Sequence, residues 1–322
     1  MDYVDAQGLR VSQLALGTVQ LGLAYGIANR TGKPGRETAH AILAHALDAG
    51  VNTLDTAAAY GDSEQVIGSF LAERQPDPPP TIVTKLAKVE LEGDPSADAI
   101  RDHVRSELEA SAARLGLDTI PVCLLHHVDD LTSYGGKVVD ALVRVKEEGL
   151  VGLVGASTYR PADVAAFLAI EAFDAIQIPI NLFDHRLIEA GYLTRLADRG
   201  ALVFARSVFL QGLFFRDPDT VEWFAEEARE PLRKLRALSA DCGRPIAELA
   251  VAFVRDLPGI ASLVIGCETV EQLAANIDLV TCPPLPDVVR AALHHHLADL
   301  PEAAVNPAIW DQRKRAAENS NG

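Results

Sequence analysis

The chain has 322 residues, 48% of them hydrophobic, so it is long enough to bury a substantial core. Its formal net charge of −16 argues against nucleic acid or an anionic membrane surface as a partner, and no apolar run reaches the roughly 20 residues of a membrane helix. A small diffusible ligand or a protein partner fits this charge better, and the four cysteines form no CxxC pair, which predicts reduced thiols in a cytoplasmic protein.

Short apolar runs alternate with helical patterns along most of the chain. A hairpin is predicted first, in VDAQGLRVSQ, with its turn at Gln7 and Gly8. Eight apolar runs follow, and each is apolar on both faces, as a parallel strand covered on both sides should be. The predicted strands are residues 14–18, 51–55, 81–85, 120–126, 151–157, 174–178, 201–205 and 262–266. Several intervening helices end in a glycine suited to a left-handed C-cap: Gly50, Gly116 and Gly149.

Eight strands alternating with helices over roughly 250 residues predict a (β/α)8 barrel. The competing α/β architecture, a doubly wound open sheet, should carry a glycine-rich dinucleotide fingerprint after its first strand. The segment after Thr18, VQLGLAYGIANRTGKPG, has no such spacing. We therefore predict one domain over residues 1–322, with the N-terminal hairpin, a barrel at about 14–282 and an extra C-terminal helix or tail at 283–322.

Four reactive side chains fall at the predicted carboxyl ends of strands or just after them, where a barrel gathers its active site. They are Asp55, Tyr60, Lys85 and His126. Each has a purely structural explanation by itself, as a helix cap, a surface phenol, an exposed cation or a core histidine. Together they predict a site in which a buried ammonium lowers the pKa of the phenol and a carboxylate keeps that ammonium charged. An imidazole can orient a carbonyl oxygen, so the set suits protonation of an oxygen by tyrosine.

The segments LALGTVQLG, NTLDTAAAYGDSEQVIG, IVTK, LLHH, VGAST and IQIPINLFD match, in order, the landmarks of the aldo-keto reductases. The chain resembles that family from about residue 9 to residue 276. The resemblance implies a (β/α)8 barrel that reduces aldehydes and ketones with a nicotinamide cofactor. It also implies Tyr60 as general acid, Asp55 and Lys85 as the residues that tune it, and His126 as the residue that orients the carbonyl. Strand alternation sends His127 to the opposite face, so HHVDD is not expected to bind an ion, and no metal is predicted.

The same resemblance implies cofactor contacts in the second half of the chain. Ser157 and Gln177 are expected to hold the nicotinamide carboxamide. Two positions depart from the family pattern: Thr158 replaces the usual asparagine, and Arg206 stands where an aromatic residue usually stacks on the nicotinamide. A guanidinium can also stack, and its charge could meet a cofactor phosphate or an acidic substrate. The predicted cofactor-binding residues are Ser157, Thr158, Gln177, Arg206, Ser207, Gly266, Glu268, Gln272 and Asn276.

The segment IGCETVEQLAANI predicts a preference for NADH over NADPH. Family members that prefer NADPH usually place Arg, Lys or Ser shortly after the glycine, where it holds the 2′-phosphate. This chain has Glu268 and Glu271 in that region, with no Lys or Arg nearby. A carboxylate repels the phosphate but accepts hydrogen bonds from a ribose diol.

The predicted function is NAD(P)H-dependent reduction of an aldehyde or ketone, with sugar-like or other polar carbonyl compounds as candidate substrates. The same groups would also serve the oxidation of an alcohol or aldose. A cofactor-sensing subunit is a second hypothesis, because the family includes such proteins on ion channels, but it would not need all four reactive groups. A lyase or isomerase with Lys85 as a Schiff-base amine is a third, and the nicotinamide motifs argue against it. We expect a monomer or a small homo-oligomer.

Overall fold

A hairpin and a closed barrel of eight parallel strands form the frame of the computed structural model, which describes residues 1–26, 29 and 32–320. The strands are β1 (Tyr3–Ala6), β2 (Leu9–Ser12), β3 (Leu14–Gly17), β4 (Thr53–Asp55), β5 (Thr81–Leu86), β6 (Ile120–Leu125), β7 (Val151–Ser157), β8 (Ala175–Pro179), β9 (Leu202–Arg206) and β10 (Ile260–Gly266). The barrel closes because β10 pairs with both β9 and β3. The predicted (β/α)8 barrel with an N-terminal hairpin is confirmed.

The hairpin of β1 and β2 packs against one end of the barrel. Its turn has positive φ at both central residues, 51° at Gln7 and 76° at Gly8, as the turn that suits right-twisted strands requires. Val11 is fully buried and belongs to the cluster that fills the barrel interior. The hydroxyl of Tyr3 donates a hydrogen bond of 2.9 Å to the carbonyl of Gly50. The hairpin thus covers the end of the barrel opposite the carboxyl ends of its strands.

Helices surround the barrel and continue beyond it. They are α1 (Val19–Gly22), α2 (Arg36–Asp48), α3 (Ser63–Arg74), α4 (Ala97–Leu115), α5 (Lys137–Glu147), α6 (Pro161–Leu168), α7 (Arg186–Glu189), α8 (Tyr192–Asp198), α9 (Arg229–Cys242), α10 (Ile246–Arg255), α11 (Val270–Val280), α12 (Asp287–Leu297), α13 (Glu302–Val305) and α14 (Pro307–Ser320). Short 3-10 helices occupy Val128–Leu131, Ser133–Gly136, Leu210–Phe215, Pro218–Thr220 and Trp223–Ala228. Gly50, Gly116 and Gly149 have the positive φ values expected at helix ends.

The apolar residues form two clusters, one inside the barrel and one between the barrel and its helices. The interior cluster is filled by alternate residues of the strands, such as Val122 and Leu124 of β6 and Leu202 and Phe204 of β9. The intervening residues point outward into the larger cluster, which Cys123 and Leu125 join. This alternation explains why each strand is apolar on both faces.

The tail after α11 packs onto the barrel helices. Trp310 of α14 is fully buried, and its indole nitrogen donates a hydrogen bond of 2.6 Å to the carbonyl of Ala303. Arg313 forms an ion pair with Glu227 in the 3-10 helix Trp223–Ala228. Residues 321 and 322 of the predicted tail lie outside the described residues. None of the described helices has both the length and the apolar character needed to cross a membrane.

Candidate active site

Asp55 and Lys85 form a buried ion pair at the carboxyl ends of the neighbouring strands β4 and β5. Their side chains are 4% and 0% exposed, and the Lys85 ammonium donates a 2.8 Å hydrogen bond to Asp55 Oδ1. A second bond of 2.8 Å goes from Lys85 Nζ to the carbonyl oxygen of Thr56. Gln177 Nε2 donates to the same carboxylate oxygen at 2.6 Å. Because the pair is neutral as a whole and both of its charged groups are hydrogen-bonded, it can remain ionised out of water.

Tyr60 lies over this pair, in a turn that two glycines bring close to α1. An added Cβ on Gly22 would lie 1.7 Å from the Tyr60 carbonyl oxygen, and one on Gly61 would lie 2.5 Å from the Gly22 carbonyl oxygen. Only glycine permits such an approach. The Ser63 hydroxyl fixes the other end of the turn, because it donates to the Thr18 carbonyl at 3.0 Å and accepts from Thr56 Oγ1 at 3.0 Å.

The ring of Tyr60 contacts the side chains of the other two reactive residues. Lys85 Nζ lies 5.1 Å from the centre of the ring. The rings of Tyr60 and His126 meet edge to face, with their centres 5.6 Å apart and an interplanar angle of 82°. The structure therefore brings all four of Asp55, Tyr60, Lys85 and His126 together, although 71 positions separate Asp55 from His126 (126 − 55).

The expectation that Lys85 lowers the pKa of Tyr60 is wrong for this arrangement. Burial raises the pKa of Tyr60 above its ordinary value of 10.0, and the negative charge of Asp55 adds to the effect. The ammonium of Lys85 makes its hydrogen bonds to Asp55 and Thr56 rather than to the Tyr60 hydroxyl. Arg206 is the cation that acts on Tyr60 in the lowering direction. The phenol consequently stays protonated at neutral pH.

His126 follows β6 directly and stays neutral. Burial lowers the pKa of His126 to about 3, and the positive charge of Lys85 acts in the same direction. Its Nδ1 atom is buried and has no hydrogen-bond partner among the described residues. A neutral imidazole has one N–H donor, which is what orienting a carbonyl oxygen requires. His127 is exposed, and both histidines lie just beyond the end of β6.

A cleft with a volume of about 710 Å³ begins at these residues and extends to the start of α11. Most of the predicted site residues line it: Asp55, Tyr60, His126, Ser157, Gln177, Arg206, Ser207, Gly266, Glu268, Gln272 and Asn276. Lys85 and Thr158 do not. Lys85 is buried beneath Asp55, and the fully buried Thr158 points its hydroxyl at the Gln177 carbonyl, 3.3 Å away. The sequence did not indicate that Thr158 would face inward.

The far end of the cleft lies between β10 and α11. A Cβ on Gly266 would lie 2.3 Å from Gln20 Oε1, and that oxygen is itself buried with no hydrogen-bond partner among the described residues. The Thr269 hydroxyl caps α11 by accepting from Gln272 N at 3.2 Å. Gln272 Oε1 accepts from the backbone N–H of Glu268 at 2.7 Å. Gly266 thus allows another side chain to approach the backbone closely at the start of α11, where the helix dipole favours negative charge.

The sequence model of the aldo/keto reductase family matches residues 13–298. The chain belongs to the aldo-keto reductase family. The resemblance predicted from the motifs is thus confirmed.

Relatives and solved structures support the assignment over most of the chain. The uncharacterized oxidoreductase YqkF of Bacillus subtilis (strain 168) is 25% identical over 309 residues, which are 89% of this chain and 93% of that protein. L-glyceraldehyde 3-phosphate reductase of Escherichia coli (strain K12) is 24% identical over 329 residues, 92% of each chain. The holo form of aldo-keto reductase AKR11C1 from Bacillus halodurans has a TM-score of 0.75 and 24% identity, and the match covers 95% of this chain and 100% of that one. That structure supports the fold alone.

This aldo-keto reductase also has cleft residues that the sequence did not single out. They come from the segments that follow β3, β7 and β9: Gln20, Tyr25, Tyr159, Phe209, Gln211 and Phe215. Gln211 Nε2 donates a hydrogen bond of 3.0 Å to the hydroxyl of Tyr25, so the loops after β3 and β9 meet at the cleft. The aromatic residues among them could have been found from the sequence, because they follow the carboxyl ends of barrel strands, where such enzymes bind their ligands.

Among the residues that the structure describes, no group of three or more His, Cys, Asp or Glu side chains has an arrangement suited to holding a metal ion. The row of histidines His294, His295 and His296 lies exposed on α12.

Proposed function

We propose that this aldo-keto reductase reduces an aldehyde or ketone to an alcohol with NADH, and that Tyr60 donates the proton. The observation that carries the proposal is the position of a protonated phenol between the ammonium of Lys85 and the neutral ring of His126, at one end of a large cleft. The raised pKa keeps the phenol protonated at neutral pH, so that its proton is available for the oxygen of the carbonyl group. The reverse oxidation would use the same groups, and metabolite levels would set the direction.

The cleft residues fit a nicotinamide dinucleotide. Gln177 uses its amide nitrogen on Asp55, which leaves its amide oxygen to accept a hydrogen bond from a carboxamide; Ser157 lies on the neighbouring strand. Gln20 Oε1, a buried acceptor with no hydrogen-bond partner among the described residues, lies beside Gly266 and can accept a hydrogen bond from a hydroxyl group of the cofactor. The bound cofactor supplies the hydride for the carbonyl carbon.

The chain's own residues would complete the reaction. His126 donates a hydrogen bond to the carbonyl oxygen and orients it. Tyr60 transfers its hydroxyl proton to that oxygen as the C–O double bond becomes a single bond and negative charge develops. The ion pair of Lys85 and Asp55 holds a compensated charge under the ring and keeps the turn in place.

The test is a panel of aldehydes and ketones followed at the NADH absorbance, run with the wild type and Tyr60→Phe. The panel should include a phosphorylated aldehyde, because one relative is named as an L-glyceraldehyde 3-phosphate reductase. We expect the variant to lose at least ~100-fold in turnover, the usual scale for a general acid. NADH binding, followed by fluorescence, should be retained. An active Tyr60→Phe variant would remove Tyr60 from this role, and tight NADH binding without turnover of any carbonyl would favour a cofactor-sensing subunit.

The preference for NADH over NADPH is proposed from Glu268, which lines the cleft just after β10. A carboxylate there accepts hydrogen bonds from a ribose diol and repels a 2′-phosphate. We expect kcat/KM to be higher with NADH, and the ratio of the two values to fall in Glu268→Gln because repulsion is removed. A wild type with a large NADPH advantage would end this proposal without affecting the proposed reaction.

A further inference from the structure

Arg206 places a guanidinium beside the reacting groups. It is the last residue of β9, it is half-buried, and it lines the cleft with Tyr60 and His126. Its positive charge lowers the pKa of the Tyr60 hydroxyl and that of the His126 ring, which means that its field acts at both residues. Arg206 therefore places its positive charge at the end of the cleft that holds Tyr60 and His126, which is called the reaction end.

The guanidinium is held in place and still has free donors. Its Nη2 donates to the carbonyl of Thr158 at 2.9 Å and its Nη1 to the hydroxyl of Ser207 at 3.2 Å. The ring of Tyr159 supports it, 4.5 Å from the guanidinium carbon to the ring centre. An arginine has five N–H groups, so three have no hydrogen-bond partner among the described residues.

No carboxylate of the described chain neutralises this arginine. None of the ion pairs of residues 1–26, 29 and 32–320 includes Arg206, whereas the nearby Arg160 is paired with Asp163. Around Tyr60 the charges of Asp55 and Lys85 compensate each other and His126 is neutral, so Arg206 gives the reaction end a net positive charge. Since the whole chain carries −16, an anion is not attracted by the protein in general, and binding one here requires a local cation.

We propose that Arg206 binds a carboxylate or phosphate group of the substrate, so that this enzyme acts on anionic carbonyl compounds. The inference rests on the proposed carbonyl reduction. A fixed fork of donors on an aromatic support matches the planar oxygens of such a group, and two N–H groups can bind it together. The pyrophosphate of the dinucleotide offers the same chemistry, but Arg206 lines the cleft with Tyr60 and His126, and the dissociation constant of NADH separates the two cases.

The test compares two aldehydes of nearly the same shape, 4-carboxybenzaldehyde and 4-carbamoylbenzaldehyde. We expect the wild type to prefer the carboxylate. In Arg206→Gln the ratio of their kcat/KM values should fall about 10- to 100-fold, the scale of a lost hydrogen bond to a charged group. Arg206→Lys should retain part of the preference, because it keeps the charge and loses the fork. Arg160→Gln, which removes an ion-paired arginine outside the cleft lining, should keep the wild-type ratio.

Three outcomes would overturn the proposal. One is an unchanged ratio in Arg206→Gln. A second is an equal loss for both aldehydes together with a raised dissociation constant for NADH, which would assign Arg206 to the dinucleotide. If the wild type reduces neither aldehyde, calorimetric titration of 4-(hydroxymethyl)benzoate decides about Arg206, and the proposed reaction fails separately only if no carbonyl compound of the wider panel is reduced. If the wild type binds this compound and Arg206→Gln does not, the anion site is supported. The third contrary outcome is that the wild type does not bind it, or that both proteins bind it equally.

Discussion

At the scale of single residues, the candidate site consists of charges that compensate each other and neutral groups that stay neutral. Asp55 and Lys85 form a buried ion pair with a hydrogen bond of 2.8 Å. Tyr60 keeps its proton because burial and Asp55 oppose the phenolate, and His126 stays unprotonated because burial and Lys85 oppose the imidazolium. Neither group changes its state near neutral pH, so the proposed proton donor and the proposed hydrogen-bond donor are present together over a wide range.

This arrangement predicts a flat pH profile for reduction. The kcat/KM for a neutral aldehyde should vary less than about threefold between pH 5 and pH 8, because His126 gains a proton only near its pKa of about 3 and the Tyr60 hydroxyl ionises only above its raised pKa. The measurement is kcat/KM with NADH in buffers of constant ionic strength. A loss of activity below pH 6.5 that follows a single titration would contradict the neutral state assigned to His126.

At the scale of elements, the close packing of α1 against the turn of Tyr60 sets the position of the phenol. Gly22 of α1 is fully packed against the backbone of Tyr60 and Ser63. A larger residue cannot be accommodated by rotation of a side chain, because the nearest atoms belong to the backbone. The position of the proposed acid therefore depends on a residue that touches neither ligand.

We expect Gly22→Ala to lower kcat/KM at least 10-fold and to reduce the free energy of unfolding by about 1–3 kcal/mol, the usual cost of overpacking. Displacement of the Tyr60 backbone by the new methyl group is the reason. The matched control is Gly35→Ala, because a Cβ at Gly35 would meet nothing within 4 Å and its φ of −65° suits alanine. Unfolding in urea and steady-state kinetics give both quantities. Full activity of Gly22→Ala would show that the turn tolerates the shift.

Much of the fold and the set of reactive residues could be predicted from the sequence. Parallel strands buried on both faces have a strong local signal, and the end of a strand such as β4 determines where Asp55 lies. The inward direction of the Thr158 side chain could not be predicted, because it depends on the path of the backbone after β7. The pKa of Tyr60 could not be predicted either, because it depends on which groups accept the hydrogen bonds of Lys85. Tyr25 and Gln211 meet across the cleft although 186 positions separate them, and no local pattern encodes such a contact.

At the scale of the whole molecule, the tail is a structural part of the protein that stands apart from the cleft. The described residues from 283 onward contribute no side chain to the cleft lining. Helix α12 instead buries Leu293 and Leu297, and α14 buries Trp310. The tail therefore extends the core that surrounds the barrel.

Trp310→Ala should reduce the free energy of unfolding by about 3–5 kcal/mol, because it removes a fully buried indole and its hydrogen bond to Ala303. The kcat/KM at a temperature where the variant is folded should stay within twofold of the wild type. Val288→Ala, at a tail position that is 75% exposed, should leave stability within about 0.5 kcal/mol. A large fall in kcat/KM for folded Trp310→Ala would connect the tail to catalysis.

The barrel holds the reactive residues at or just after the ends of its strands, whereas other cleft residues lie on the segments that connect strands and helices. Asp55 and Lys85 end neighbouring hydrogen-bonded strands and His126 follows the next, so their spacing is that of the sheet itself. The residues at the mouth, such as Tyr25, Tyr159 and Phe215, sit on connecting segments. If those segments are replaced by the corresponding segments of another member of the family, the range of substrates should therefore change, while the reaction at the strand ends should stay the same.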